Sequence, residues 1–375
     1  MIGKYARASI FAAVLAMAAP TRAQESQAPD LAPYHAAQFI DGVRLMAPPP
    51  DYLGFATSNI LIVEQQDGIV VVDSGFARAD GDRVVAYVRS FTDKPVKALI
   101  ITHWHNDHPQ GASQIREAWP DVRIIATEQT RFGIDGPARS LGLAYQPSPE
   151  WEAAVTAQIN EGVAADEAQA ANAEHDALQR QRFARRARQF RERIPDIAGT
   201  HLVAPTEILR DEILIDDPER PVRVLFLGRA NTDGDAIVWL PNQRLVATGD
   251  VVVSPIPFGF FSYPADWIEA LGRIKALEFE LLVPGHGLPQ SDSAYVDRLV
   301  ATITDIRTQV GALAAQRLTL EQVRERVDFS AQTAIFGPTN RRRVAFEGLW
   351  LRPMIENAWK EARGIPIVQG EGEAP

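Results

Sequence analysis

Residues 102–108, which read Thr-His-Trp-His-Asn-Asp-His, constrain this chain more than any other stretch. They place three of the chain's seven histidines beside an aspartate. The apolar run directly before them, residues 96–101, predicts a buried strand. The polar cluster therefore lies at the carboxyl end of that strand, in the loop before the next helix. His103 and His105 are two residues apart and can point the same way along an extended chain, whereas Asp107 and His108 point elsewhere.

These side chains are the ligands that zinc prefers when no thiolate is present, and the chain contains no cysteine. A single histidine in such a loop is better explained by hydrogen bonds to its neighbours. Three imidazoles and a carboxylate at this spacing instead indicate a metal site. Because the side chains point in two directions, one loop can supply ligands to two metal positions.

Three more motifs occur along the chain, each where a strand is predicted to end. Residues 71–75 read Val-Val-Asp-Ser-Gly, residues 248–250 read Thr-Gly-Asp, and residues 284–287 read Pro-Gly-His-Gly. With the H-x-H-x-D-H cluster they span residues 55 to 290 in a fixed order. In this order the four motifs resemble the metallo-β-lactamase superfamily.

The resemblance implies a ligand set for two metals. The first metal would be bound by His103 and His105. The second would be bound by the other ligands of the same loop and by the histidine of the last motif: Asp107, His108 and His286. Asp250 would bridge both metals and offset part of their charge. Two dications about 3.5–4 Å apart can share a hydroxide that forms near neutral pH and attacks a carbonyl. Asp107 is therefore expected to be catalytic as well as a ligand.

The loop at residues 228–235 departs from the family pattern, which usually has a histidine where Asn231 stands. An amide oxygen is a weaker zinc ligand than an imidazole nitrogen. Asn231 is therefore interpreted as a weak ligand, or as a residue that binds substrate through its amide. The first metal position would be weakly filled, hold a harder metal, or be completed by water. We expect one or two Zn²⁺ ions, with another divalent metal as the alternative.

The pattern predicts a metal-dependent hydrolase that acts on the carbonyl of an ester, thioester, lactone or amide. The aromatic stretch at residues 258–263 is a candidate substrate wall, although core packing explains it equally well. A true β-lactamase is an alternative. Family members with that activity typically carry Cys or Ser where this chain has Asp250, so the aspartate favours the broader hydrolase group.

An alternative from another class is a non-catalytic protein that binds metal or a partner. In that case Asn231 marks a partly decayed site, and the helical segments bind the partner. The complete set of ligands for the second metal argues against full decay.

Residues 1–23 have the three parts of a secretory signal. Lys4 and Arg7 form the basic start, residues 8–19 form an apolar run, and Thr21-Arg22-Ala23 offers small residues for cleavage. The apolar run is too short to span a bilayer comfortably. We therefore expect a cleaved signal peptide and a periplasmic or secreted protein.

The charge of the chain restricts its partners. Cleavage after residue 23 would remove three basic residues and no acid, and would change the net charge from −10 to −13. Such acidity disfavours nucleic acid and anionic membranes. We expect a small-molecule substrate, no nucleic acid and no membrane span. The oligomeric state is left open, because the aromatic residues Phe346, Trp350 and Trp359 could pack on the core or form a subunit interface.

The rest of the pattern predicts an α/β fold, an αββα sandwich with a helical insertion and a helical C-terminal extension. Residues 24–50 are predicted as an N-terminal tail that leads to an edge strand, and residues 51–290 as the sandwich domain. Within it, residues 150–194 predict two helices interrupted near residues 160–162. A solvated hairpin is favoured there, with a cap over the metal site as the alternative. Residues 291–375 form the predicted extension.

Overall fold

The computed structural model describes residues 29–50, 52, 57–135 and 148–369. The predicted signal peptide, residues 1–23, lies outside the described residues. No helix in the described part of the chain is both long enough and apolar enough to cross a membrane.

Seven strands form the first sheet, in the order in which they occur along the chain. They are β1 (His35–Ile40), β2 (Val43–Ala47), β3 (Ile60–Glu64), β4 (Ile69–Val72), β5 (Val96–Ile100), β6 (Arg123–Thr127) and β7 (Glu207–Leu209). The first four strands pair antiparallel, and β4 to β7 pair parallel. Residues 24–50, which were predicted as a tail that leads to an edge strand, contribute two strands, β1 and β2. The predicted domain boundaries stay a prediction.

Five strands form the second sheet, in the order β12-β11-β10-β9-β8. They are β8 (Glu212–Ile215), β9 (Val222–Phe226), β10 (Ala236–Leu240), β11 (Leu245–Ala247) and β12 (Leu281–Val283). Only the β11–β12 pair is parallel. Strands β9, β11 and β12 consequently end at the same edge of this sheet.

The two sheets pack face to face. Successive side chains of a strand point to opposite sides of its sheet, so each strand contributes to two different cores. In β3, Leu61 and Val63 belong to the core between the sheets, together with Val224 and Val238 of the second sheet. Their neighbour Ile62 belongs instead to the core beneath the helices. Alternation of this kind gives each sheet one face toward its partner sheet and one toward helices. The predicted αββα sandwich is confirmed.

Helices cover both outer faces of the sandwich. On the first sheet lie α1 (Arg78–Phe91), α2 (Ala112–Ala118) and α3 (Glu128–Asp135). The second sheet is covered by α6 (Pro264–Ala276), α7 (Ala294–Ala314), α8 (Leu320–Arg324), α9 (Ser330–Phe336), α10 (Asn340–Phe346), a π-helical turn (Glu347–Leu351) and α11 (Arg352–Ala362). The C-terminal extension is helical, as predicted. Phe346 and Trp350 are fully buried in its core rather than exposed at a surface.

The insertion is a hairpin of two helices, α4 (Pro149–Ala171) and α5 (Ala177–Arg193). The predicted interruption near residues 160–162 is wrong, because α4 continues through it. Four apolar residues spaced four apart keep this helix packed: Trp151, Val155, Ile159 and Val163. The break lies at residues 172–176, where Asp176 caps α5 through the backbone of Gln179. Side-chain capping of this kind is a normal helix start.

A buried ion cluster fastens the hairpin to α1. The Asp80 carboxylate is fully buried and receives two bonds from the Arg193 guanidinium, at 2.7 and 2.9 Å. It also accepts hydrogen bonds from the backbone amides of Phe76 and Ala77. Arg193 further pairs with Asp196 at 2.6 Å. The end of α5 therefore supports the segment that follows β4, which carries part of the site described below.

Replacing Arg193 with alanine is expected to destabilise the fold. The change removes one of the two arginines that pair with the buried Asp80 carboxylate and leaves Arg83, at 3.0 Å from Asp80 Oδ1, as the other. Loss of one partner from a buried ion cluster costs up to about 3–5 kcal/mol. The measurement is the free energy of unfolding in urea, followed by circular dichroism. The matched control is Arg191→Ala, which breaks an exposed pair with Glu167 and should cost no more than about 1 kcal/mol. Equal losses in the two variants would contradict this role of Arg193.

Candidate metal centre

The predicted site residues lie on loops that follow β5, β9, β11 and β12. The loop after β5 carries His103, His105, Asp107 and His108, and its backbone is tied to neighbouring loops. Ser74 donates both its backbone N–H and its hydroxyl to the carbonyl of His108. Strand ends that meet at one edge bring residues from distant parts of the chain together. All four side chains of the loop are buried.

Two groups of ligand atoms form within this cluster. In the first, one atom each from His103, His105 and Asp250 lie within 4.8 Å of one another. The second group is formed in the same way by Asp107, His108 and His286. The structure thus brings together all six residues that the sequence proposed as ligands, across more than 180 positions of chain.

Asp250 lies between the two groups. It occupies a short 3-10 turn after β11, Gly249–Val251. Its Oδ2 is 3.7 Å from His103 Nε2 in the first group. Its Oδ1 is 3.4 Å from His108 Nε2 and 3.5 Å from His286 Nε2 in the second. Gly285 packs directly on this carboxylate, since a Cβ there would lie 2.0 Å from Asp250 Oδ1.

Asp73, at the end of β4, orients two of the imidazoles. Its Oδ2 accepts a hydrogen bond from His108 Nδ1 at 2.8 Å. Its carboxylate also accepts the hydroxyl of Thr102, and that hydroxyl oxygen lies 3.1 Å from His103 Nδ1. Both Nδ1 atoms are thereby engaged. Nε2 of His108 faces the carboxylates of Asp107 and Asp250, and Nε2 of His103 lies between His105 Nδ1, at 2.8 Å, and the Asp250 carboxylate. Partners of this kind fix the ring orientation of histidines that bind metals.

The backbone of Asp73 has a φ of 63°, a left-handed conformation that few residues other than glycine adopt. Aspartate and asparagine tolerate it best, and such strained positions cluster at functional sites. Asp73 belongs to the motif at residues 71–75, but no role was predicted for it. The motif predicts that Asp73 lies at a strand end. Its contact with His108 depends on how β4 and β5 pair, which the motif does not show.

His286 is positioned by the residues before β3. Its Nδ1 donates to the carbonyl of Thr57 at 3.2 Å, and its Nε2 lies 3.0 Å from Asp107 Oδ2. Asn59 holds the same loop, because its side-chain amide donates to the carbonyls of Pro284 and Gly287, both at 2.9 Å. The last motif is consequently fixed against the start of the sandwich.

The electrostatics of the cluster favour positive charge beside the carboxylates. Burial alone would lower the pKa of His108, but Asp73, Asp107 and Asp250 outweigh it and raise that pKa well above its usual range. The pKa of His286 is raised for the same reason, mainly by Asp250 and Asp107. Burial would raise the pKa of Asp107, but His108 and His286 hold it well below its ordinary value.

The other two imidazoles behave differently. Burial lowers the pKa of His103 well below its usual range, and nearby histidines add to the effect. Burial also lowers the pKa of His105 to about 4. Both rings are therefore neutral at pH 7, which is the form that binds metal.

Several buried polar atoms of the cluster have no hydrogen-bond partner within the described residues. They are His105 Nε2, His108 Nε2, Asp250 Oδ1 and both side-chain atoms of Asn231. Unpaired buried polar atoms are costly, so each one calls for an explanation. Divalent cations fit this donor set, which combines imidazole nitrogen with carboxylate oxygen.

Asn231 is fully buried in the loop after β9. That loop is rigidly held, since Asp235 Oδ2 accepts from the backbone of Thr232 at 2.7 Å, and the hydroxyl of Thr127 donates to the carbonyl of Gly234 at 2.7 Å. Burial raises the pKa of Asp235 to about 7. The atoms grouped with His103 and His105 come from Asp250 and not from Asn231. The role of Asn231 therefore stays a prediction.

A cavity of about 660 Å³ opens over the cluster and is bounded by His105, Asp107, Asp250 and His286. Its outer wall is largely apolar and includes Pro48, Pro49, Pro50, Tyr52, Pro255, Phe258, Phe260 and Leu288. The aromatic stretch at residues 258–263 is divided between two roles. Phe258 and Phe260 line the cavity, whereas Phe261 is buried against Trp104. None of the described lining residues comes from the α4–α5 hairpin.

Comparison with known proteins gives three matches of interest. The chain is 23% identical over 299 residues to a linear primary-alkylsulfatase from Pseudomonas sp. (strain ATCC 19151), covering 74% of this chain and 51% of that protein. The structure of this chain is similar to that of an inverting sec-alkylsulfatase from Pseudomonas sp. The two share 15% identity with a TM-score of 0.54, and the match covers 88% of this chain and 50% of the other. A metallo-beta-lactamase from Pontibacter korlensis has 16% identity and a TM-score of 0.49, over 72% of this chain and 99% of the other.

The chain spans about half the length of the two alkylsulfatases it matches. The model of the metallo-beta-lactamase superfamily matches residues 53–286, which is more than half of the chain and includes the first three motifs and the fourth as far as His286. The resemblance inferred from those motifs is confirmed, and with it the predicted fold. The chain belongs to the metallo-beta-lactamase superfamily of metal-binding hydrolases.

Proposed function

We propose that the protein is a zinc-dependent hydrolase that cleaves an ester-type bond of a small molecule in the cavity over the His/Asp cluster. The observation that carries the proposal is the pair of ligand groups joined by Asp250, whose two oxygens face different groups. We also propose that residues 1–23 are a cleaved export signal and that the protein is periplasmic or secreted.

In this proposal His103 and His105 would hold the first ion, with Asn231 as a weak ligand or a substrate contact. Asp107, His108 and His286 would hold the second ion, and Asp250 would be shared by the two positions. Bound zinc would supply Lewis-acid polarisation of the scissile group and an activated water at neutral pH. Asp73 and the Thr57 carbonyl keep His108 and His286 in orientation. The apolar wall at Phe258 and Phe260 binds the substrate body and excludes bulk water.

Two substrate classes follow from different observations. The cavity and the ligand set support hydrolysis of a carbonyl in an ester, thioester, lactone or amide. The similarity to alkylsulfatases supports an alkyl sulfate ester instead. A β-lactam is the least favoured substrate, because Asp250 stands where members with that activity typically carry Cys or Ser.

One experiment separates these classes. Metal content of the purified protein is measured, and the zinc-loaded protein is then assayed on nitrocefin, a lactone, a thioester, an aryl ester and dodecyl sulfate. Turnover of any substrate that is abolished by chelation and restored by zinc supports the proposal. Full metal content without turnover on any of them would favour the non-catalytic alternative.

The Asp107→Asn substitution is expected to lower kcat/KM at least about a hundredfold, because it removes a charged ligand of the second ion. The measurement is steady-state kinetics on the best substrate of the panel. As a control, Asp67→Asn removes a surface carboxylate that pairs with Lys97 and should leave activity unchanged. Wild-type kinetics in the Asp107 variant would remove this residue from the mechanism.

The Asp73→Asn substitution tests the orientation of His108. Asparagine also tolerates the left-handed backbone, but it removes the negative charge that His108 Nδ1 faces. We expect zinc affinity to fall about 10–100-fold, measured by competition with a chromogenic chelator. Circular dichroism should show an unchanged fold. Unchanged zinc affinity in a folded variant would show that Asp73 has only a structural role.

The second ion should be held more tightly than the first, because its ligands are complete without Asn231. His286→Ala and His103→Ala each damage one position, and the zinc that remains reports on the other. We expect His286→Ala to lose zinc at a lower chelator concentration than His103→Ala. The opposite order would contradict the assignment of the weaker position.

A further inference from the structure

The C-terminal extension contributes a cation to the cavity over the metal centre. Arg342 lies in the first turn of α10, and its exposed side chain forms part of the cavity lining. Thr339 caps this helix by accepting from the backbone N–H of Arg342 at 3.4 Å. Phe346 is fully buried at the other end, stacked on Phe336 with ring centroids 5.1 Å apart. The backbone of α10 at Arg342 is therefore held by this cap and by the packing of Phe346 in the core.

Arg342 has no carboxylate partner in the part of the chain that the structure describes. Two other arginines of the extension, which do not line the cavity, are paired, Arg307 with Glu361 at 2.6 Å and Arg324 with Glu356 at 3.1 Å. Among the described residues that line the cavity, Arg342 is the only Lys or Arg. An unpaired guanidinium in a cavity of an acidic protein is a natural partner for a carboxylate or sulfate oxygen, which it can bind through two parallel hydrogen bonds.

The surroundings of Arg342 define the rest of the ligand. The cavity wall contributed by Pro255, Phe258, Phe260 and Leu288 offers apolar contact rather than hydrogen bonds. Leu288 is 53% exposed, so the apolar surface continues out to the mouth. A molecule that matches this cavity has an apolar body and one anionic group.

We propose that Arg342 is a specificity-determining residue, which binds an anionic group of the substrate while the apolar body lies against Phe258 and Phe260. The proposal rests on the proposed function in placing the scissile bond at the His/Asp cluster. It goes further by making the preferred substrate an anionic amphiphile, with a carboxylate or a sulfate group. A guanidinium binds a carboxylate and a sulfate in the same way, so the test includes both groups.

The test measures ligand binding to the zinc-loaded protein by isothermal titration calorimetry. The probes are octane-1-sulfonate, octanoate and the neutral octyl methyl sulfone. The proteins are wild type, Arg342→Gln, Arg342→Lys and the matched control Arg343→Gln, which removes an exposed charge from the next position of the same helix.

We expect Arg342→Gln to weaken binding of at least one anionic probe about fivefold, the scale of an exposed charge pair. Binding of the neutral sulfone should not change. Arg342→Lys should retain part of the anion affinity, and Arg343→Gln should retain all of it. The difference between wild type and Arg342→Gln should shrink at high salt, because exposed charges are screened. The anion that loses more affinity identifies the preferred group.

Three results would overturn the proposal. One is that wild type binds neither anion more tightly than the sulfone. Another is that Arg342→Gln and Arg343→Gln lose anion affinity equally, which would be a general effect of net charge. The third is that Arg342→Gln weakens the sulfone as much as the anions.

A kinetic arm separates failure of this proposal from failure of the proposed function. The four proteins are assayed on 4-nitrophenyl butyrate and on the 4-nitrophenyl monoester of glutaric acid, which carries a free carboxylate. Arg342→Gln should lower kcat/KM for the anionic ester and spare the neutral one. If wild type hydrolyses neither these esters nor the wider panel, the proposed function fails, and the binding measurements still decide the role of Arg342.

Discussion

The structure depends on the mutual pairing of buried imidazoles and carboxylates at one edge of the sandwich. Burial of a lone charge is strongly unfavourable, and opposite charges placed close together offset part of that cost. Asp250 faces His103 on one side and His108 and His286 on the other. Asp73 accepts a hydrogen bond from His108 Nδ1, on the side of the ring opposite Asp250. The cluster is thus arranged to balance positive charge at two neighbouring positions.

The two sheets make this arrangement possible because they bring strand ends from both halves of the chain to a single edge. The first sheet supplies the loop after β5 and the motif after β4, and the second supplies Asp250 and His286. Asn59 links the two halves, because its side-chain amide donates hydrogen bonds to the carbonyls of Pro284 and Gly287. The helices beyond the sandwich have two functions. They bury the outer face of the second sheet, and they carry Arg342 to the mouth of the cavity.

Much of the fold and of the proposed ligand set could be predicted from the sequence, since both have local signals. The spacing of apolar residues along the sequence differs between strands and helices, so their alternation can be predicted. The ligands occur in short motifs at strand ends. The break in the insertion could not be read in this way. Gly162 is a poor helix former, but the apolar stripe from Trp151 to Val163 holds α4 together through it. Strands β7 and β8 are three and four residues long, too short for a periodic signal. The contact of Asp73 with His108 and the place of Arg342 at the cavity join distant parts of the chain, and both depend on packing.

The central proposal is that the two ligand groups on either side of the Asp250 carboxylate each hold a divalent cation. Its most direct test is a crystal structure of the zinc-soaked protein, with anomalous scattering recorded at the zinc edge. The account predicts two anomalous peaks about 3.5–4 Å apart, one beside His103 and His105 and the other beside Asp107, His108 and His286. A structure without zinc at the cluster, or with zinc bound only away from Asp250, would contradict it.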